Sequence, residues 1–137
     1  MTSNRHVAVW MDHNEAHIFH IDAQTLDEKT VHAPEHHVHR HPKGENSNHE
    51  KPNDAHAFFK AVAQALEGAE RILVVGPSTA KLEFIHYAYK QDPKLEPRIA
   101  GVETIDHPSD KQLIAYAKRY FAADDRMQGR PAEATRL

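Results

Sequence analysis

Near the middle of the chain, Arg71-Ile72-Leu73-Val74-Val75 places four large aliphatic residues in a row and runs straight into Gly76-Pro77-Ser78-Thr79. A continuous apolar run this short, closed by turn residues, reads as a buried-type strand. The residues after it, Ala80 to about Lys90, carry Leu82, Phe84, Ile85 and Tyr89 and read as a helix. A buried strand that turns tightly into a helix implies a sheet with helices packed on it.

The flanking sequence supplies the remaining elements. His6-Val7-Ala8-Val9-Trp10-Met11 is apolar and partly β-branched and predicts a core strand. Asp12-His13-Asn14-Glu15 has turn chemistry, and Ala16 to Ile21 predicts a second strand antiparallel to the first. After a turn over 22–27, Glu28 to Ala33 predicts a third strand, interrupted by Pro34, which cannot donate to a ladder. The strand can resume in His36-His37-Val38-His39-Arg40.

A polar stretch follows from His41 to Asn53, with Pro42, Gly44 and Pro52 as breakers. Asp54 is then the expected cap of a helix running to about Glu67, with Gly68 as its stop. Phe58, Val62, Ala65 and Leu66 give that helix one apolar face. Pro93 and Pro97 mark a loop, Ile99 to Ile105 the last strand, and Asp106-His107-Pro108-Ser109 a turn and cap. The final helix is expected over Asp110 to Phe121, with Leu113, Ile114, Ala117 and Tyr120 facing inward.

The order of elements is thus β-β-β-loop-α-β-α-β-α. Three meander strands and two strand-helix units predict a mixed sheet covered by helices. Right-handed crossovers make the last two strands parallel to each other and to one meander strand. This is an α/β fold of the ribonuclease H-like kind. It is expected to span residues 1–123, with a loop at 34–53 and a frayed tail at 124–137.

The loop is where the composition is unusual. The segment from His32 to His56 holds seven of the thirteen histidines, and Val38 is its one branched aliphatic residue. A compact domain of 137 residues seldom carries so long a structureless loop unless it binds something. Fixed charges from Lys29 to Lys60 leave one net positive charge, although the whole chain carries −3. There is no cysteine, so disulfides and thiolate metal sites are excluded. No apolar signal core or membrane-length run is present, and a soluble cytoplasmic protein is the expectation.

Val7 to Asp22 (VAVWMDHNEAHIFHID) resembles the opening hairpin of the middle domain of archaeal and eukaryotic class-1 peptide-chain release factors and Pelota. Ile72 to Phe84 (ILVVGPSTAKLEF) is similar to that domain's strand, Gly-Pro turn and helix, and Ile99 to Asp106 with its following helix resembles the remaining unit. The resemblance covers roughly residues 5–121 and extends to bacterial single-domain relatives known as translational machinery proteins. It implies a partner in the ribosome or ribosomal RNA. In release factors the loop after the third strand carries a Gly-Gly-Gln tripeptide that enters the peptidyl transferase centre. Here that position holds the histidine-rich segment, and Gly-Gly-Gln occurs nowhere in the chain. Peptidyl-tRNA hydrolysis by the family mechanism is therefore not implied.

Four chemistries compete for these residues. His36, His37, His39 and His41 are candidate zinc ligands, since residues 37, 39 and 41 share one face of an extended chain. Copper and nickel suit imidazole equally. His37, His39, Arg40, His41 and Lys43 are candidate RNA contacts, because acidification or nearby phosphate favours the imidazolium. Gly76, Ser78, Thr79 and Lys81 surround a helix start whose free N–H groups suit an anion, although a tight turn with Ser78 or Thr79 as cap explains them as well. Asp12, Asp22 and Asp106 end strands, as carboxylates of a metal-dependent nuclease do, yet each also suits a turn.

His86 falls within a helix, where packing or solvation is expected. His13, His17 and His20 fall on strand and turn rather than on a helical metal motif. The expectation is a non-catalytic accessory factor of the rescue, silencing or hibernation type, requiring no cofactor. It would bind the ribosome or its RNA through the histidine-rich loop. The alternative is a histidine-rich metal-binding module.

Overall fold

The first strand, β1 (His6–Met11), is buried along its whole length, as expected of a central strand covered on both sides. It pairs antiparallel with β2 (Glu15–His20), which pairs antiparallel with β3 (Glu28–His32). On its other side it pairs in parallel with β4 (Arg71–Gly76), and β4 pairs in parallel with β5 (Ile99–Thr104). The sheet order is β3-β2-β1-β4-β5, the mixed ribonuclease H-like arrangement expected from the order of elements. The computed structural model describes residues 6–21, 28–34 and 45–127, and of residues 45–54 the course of the helix only.

Period-two alternation sends successive side chains to opposite faces of the sheet. Val7, Val9, Met11, Ile18, Ile72 and Val74 point to one side and pack on α1 (Glu45–Ala65) and α2 (Ala80–Gln91). Ala8, Trp10, Phe19, Leu73 and Val75 point to the other side and pack on α3 (Asp110–Met127). The molecule is therefore layered α/β/α, with a core on each face. Phe58, Phe59, Val62 and Leu66 anchor α1, Phe84 and Ile85 anchor α2, and Leu113, Ala117 and Phe121 anchor α3. Burial stabilises each large apolar side chain by about 1.5–3 kcal/mol.

Several boundaries differ from the sequence expectation. α1 begins at Glu45 rather than after Asp54, so residues 45–53 of the expected loop are helical and Asp54 is not the cap. Pro52 lies inside this helix and removes one backbone hydrogen bond. Packing of the downstream turns on the core outweighs that local cost. Gly68, with φ of +89°, stops the helix as expected, in a conformation that favours glycine.

Pro93–Arg98 forms a 3-10 helix rather than an irregular loop. Leu82 and Tyr89 of α2 are exposed, whereas Phe84 and Ile85 face the core. α3 continues to Met127, so residues 124–127 of the expected tail form its last turn. Partners remote in sequence hold that turn. Both carboxylate oxygens of Asp124 accept hydrogen bonds from the Arg71 guanidinium at 2.8 Å, and Asp125 lies 3.5 Å from His6.

Candidate functional site

Because β1, β4 and β5 are parallel and β3 runs the same way as β1, all four end at one edge of the sheet. Open α/β sheets bind ligands outside this carboxyl edge. At the β1–β2 turn, Oδ1 of Asp12 accepts the backbone N–H groups of Asn14 (2.8 Å) and Glu15 (3.0 Å). The Ala33 N–H then donates to the Asn14 carbonyl at 2.8 Å, which fixes the root of the histidine-rich segment beside that turn.

The segment's return point is also defined. The 21 residues of α1 span about 30 Å, whereas a six-residue strand spans about 20 Å. The short link from Ala65 to Arg71 holds the far end of α1 at the opposite edge, where β4 begins. α1 is thus about 10 Å longer than the strands it packs on. His36, His37, His39, Arg40, His41 and Lys43 lie outside the described residues, as does the expected resumption of β3 over 36–40.

The Gly76–Thr79 turn forms a second part of this edge. A Cβ on Gly76 would strike the Met11 carbonyl oxygen, so only glycine permits β4 to pass β1 here. Ser78 Oγ accepts the Ala80 N–H at 3.3 Å, and the Thr79 hydroxyl donates to Glu83 Oε2 at 3.1 Å. Lys81 is buried, and its ammonium turns back to donate to the Ser78 carbonyl oxygen. Glu83, within 3.3 Å of His13, supplies a carboxylate at this helix start, and an arriving anion would compete with it.

The third part lies on the α3 face and was not singled out from sequence. The Trp10 indole N–H donates to the Asp106 carbonyl oxygen at 2.7 Å. The His107 and His17 rings lie against the indole, with centroids at 4.9 and 5.9 Å. His17 approaches Glu28 at 2.8 Å through Nδ1 and Glu15 at 3.2 Å through Nε2. Burial lowers the His17 pKa, but hydrogen bonding to Glu28 and Glu15 and their negative charge outweigh it, so the net shift is upward. The cleft between these groups holds about 130 Å³ and has Glu15 and Asp110 in its lining. Period-two alternation would have placed His17 on the face of Phe19, but nothing local to the sequence brings His107 there.

The carboxylates considered for a nuclease do not assemble into a metal cluster among the described residues. Asp12 is engaged in its turn, Asp106 is highly exposed beside His107, and Asp22 lies outside the described residues. His86 is exposed on α2, and His17 and His20 sit on β2 as expected. No helix among the described residues is long and apolar enough to cross a membrane.

The fold is an α/β domain with a five-stranded mixed sheet covered by helices on both faces. No protein-family model and no curated protein matches the sequence. Its fold is similar to Pelota from Archaeoglobus fulgidus, with 19% identity, a TM-score of 0.60, and coverage of 93% of this chain and 34% of that one. For Pelota from Thermoplasma acidophilum the values are 20%, 0.52, 96% and 34%. For an archaeal translation termination factor they are 15%, 0.45, 93% and 40%. The chain thus spans about a third of the length of either Pelota, and at these identities the likeness is one of fold.

Proposed function

We propose that this chain is a non-catalytic accessory factor that binds the ribosome or its RNA through the histidine-rich segment. The observation that carries the reading is the position of that segment. The described residues that bracket it are the end of β3, held beside the Asp12 turn through Ala33, and the start of α1. In the release-factor middle domains that the sequence resembles, the loop at the corresponding point in the order of elements enters the peptidyl transferase centre, and the Pelota-like fold supports the comparison. Without Gly-Gly-Gln the segment has the charge for docking but not the family's hydrolytic group.

His37, His39, Arg40, His41 and Lys43 are the proposed contacts. Replacing all five with Ala should abolish co-sedimentation with ribosomes, and binding by the parent should weaken as salt is raised. Unchanged binding by the variant, or none by the parent, refutes the reading. The alternation of His37, His39 and His41 supports a second reading, zinc held by these residues with His36. Elemental analysis of untagged protein, before and after replacing the four histidines, decides it. Stoichiometric zinc lost on replacement supports the site, and its absence from the parent excludes it.

A further inference from the structure

The Trp10 cleft has a sign and a shape that the ribosome-binding reading does not use. Its base is aromatic, from Trp10 and Phe19, and its walls are the His17 and His107 imidazoles. Glu15 and Asp110 contribute carboxylates, and Glu28 stands behind His17 at 2.8 Å. Among the described residues, neither lysine nor arginine lines it. A phosphate-bearing ligand would meet the Glu15 and Asp110 carboxylates, with Glu28 behind His17 and no fixed cation in the lining to offset them. A wholly apolar ligand would strip water from the same carboxylates. At about 130 Å³ the cleft is also below the usual drug-sized range of about 300–1,000 Å³ and suits a single planar group.

We propose that this cleft is a socket for one arginine side chain, presented by a basic segment of a partner protein. A guanidinium is planar and weakly hydrated, stacks on aromatic rings and matches carboxylates with paired N–H donors. A lysine ammonium carries the same charge without the plane or the fork.

The site also contains a competitor for its ligand. Protonated His17 donates to both Glu15 and Glu28, whereas neutral His17 keeps one N–H and releases one of the two carboxylates for the guanidinium. His107 and Asp110 face the same cleft from the β5–α3 side, and His32 lies 3.8 Å from Glu15. Protonation of any of these histidines opposes a cationic guest, so affinity rises with pH.

Trp10 is the only tryptophan in the chain, so its fluorescence reports on the cleft. Titration with acetyl-Gly-Arg-Gly-amide at constant ionic strength should give a saturable change, with half-saturation on the order of 1 mM for so small a ligand. The lysine analogue should bind several-fold more weakly, and adenosine monophosphate should have no effect. Paired replacement Glu15→Gln and Asp110→Asn should weaken arginine binding about tenfold. Far-UV circular dichroism should remain unchanged in that variant. Binding should also be weaker at about pH 5.5 than at about pH 8.

Shifts of the Trp10 indole N–H and the His17 ring protons in NMR spectra give a second readout. The proposal is overturned by no saturable change in either readout, by equal binding in the folded double variant, or by a response to the nucleotide instead. None of these measurements involves ribosomes, so the socket and the ribosome reading succeed or fail separately.

Discussion

The two ends of the sheet treat charge in opposite ways. At the end where β1 and β4 begin, charged groups are closed upon one another. Arg71 grips Asp124 through two hydrogen bonds of 2.8 Å, and His6 lies beside Asp125 and against the Phe121 ring, its centroid 4.6 Å away. The side chains of Arg71 and Asp124 are only 15% and 9% exposed. At the carboxyl end, Glu15, Asp110, His17 and His107 line an open cleft, Glu28 approaches His17 at 2.8 Å, and the histidine-rich segment is rooted nearby. One end uses charge to hold α3 against the sheet. The other leaves charge within reach of a partner.

The largest expected effect comes from the place where the open end is sterically closed. Gly76→Ala would drive a methyl group into the Met11 carbonyl and force β4 away from β1. Backbone cannot yield as a side-chain tip does, and a loss of about 4 kcal/mol is expected. Urea unfolding measures it; a loss below about 1 kcal/mol would show that the two strands can separate at little cost.

Arg71→Met tests the closed end. It leaves Asp124 poorly solvated and without its bidentate partner, and should cost about 3 kcal/mol in the same assay. Because hydrogen bonding to Asp124 pushes the Arg71 pKa further up, the guanidinium stays charged at every working pH. Glu15→Gln at the open end should cost under about 1 kcal/mol, as partly exposed ion pairs usually do. If the two costs proved equal, the contrast between the ends would fail.

Asp12→Ala gives a smaller, local effect. The one oxygen that accepts two N–H groups in the β1–β2 turn would be lost, for about 1 kcal/mol. Asn14 carries the carbonyl that holds Ala33, so amide exchange at Ala33 should quicken while core strands stay protected.

What could be read in the sequence follows the same division. β1, β4 and the buried faces of α1 and α3 were legible because a run such as Ile72 to Val75 encodes burial locally. The start of α1 was not, since Pro52 argues for a break and only packing of residues far downstream overrides it. Asp124 looked like tail because its partner, Arg71, is 53 positions away. The Trp10 cleft was invisible for the same reason. Its walls come from β2 and from the loop before α3, which meet only once the sheet has formed.

The finest test concerns the His17 proton. Its pKa is held above 6.5: burial alone would lower it, but hydrogen bonds to Glu28 and Glu15 and their charges prevail. A raised folded-state pKa means that the native protein binds this proton more tightly than the unfolded chain does. The resulting stabilisation is fully present below about pH 6.5 and is lost as pH rises through the folded-state value. The His17 side chain is 28% exposed, so solvent screening limits the effect to about 0.5 kcal/mol or less. Unfolding free energies of the parent and His17→Gln, compared at about pH 6 and about pH 8.5, isolate it, because every other titrating group is common to both proteins. The parent's advantage should shrink at the higher pH. An advantage that grew instead would mean that His17 is held neutral in the fold.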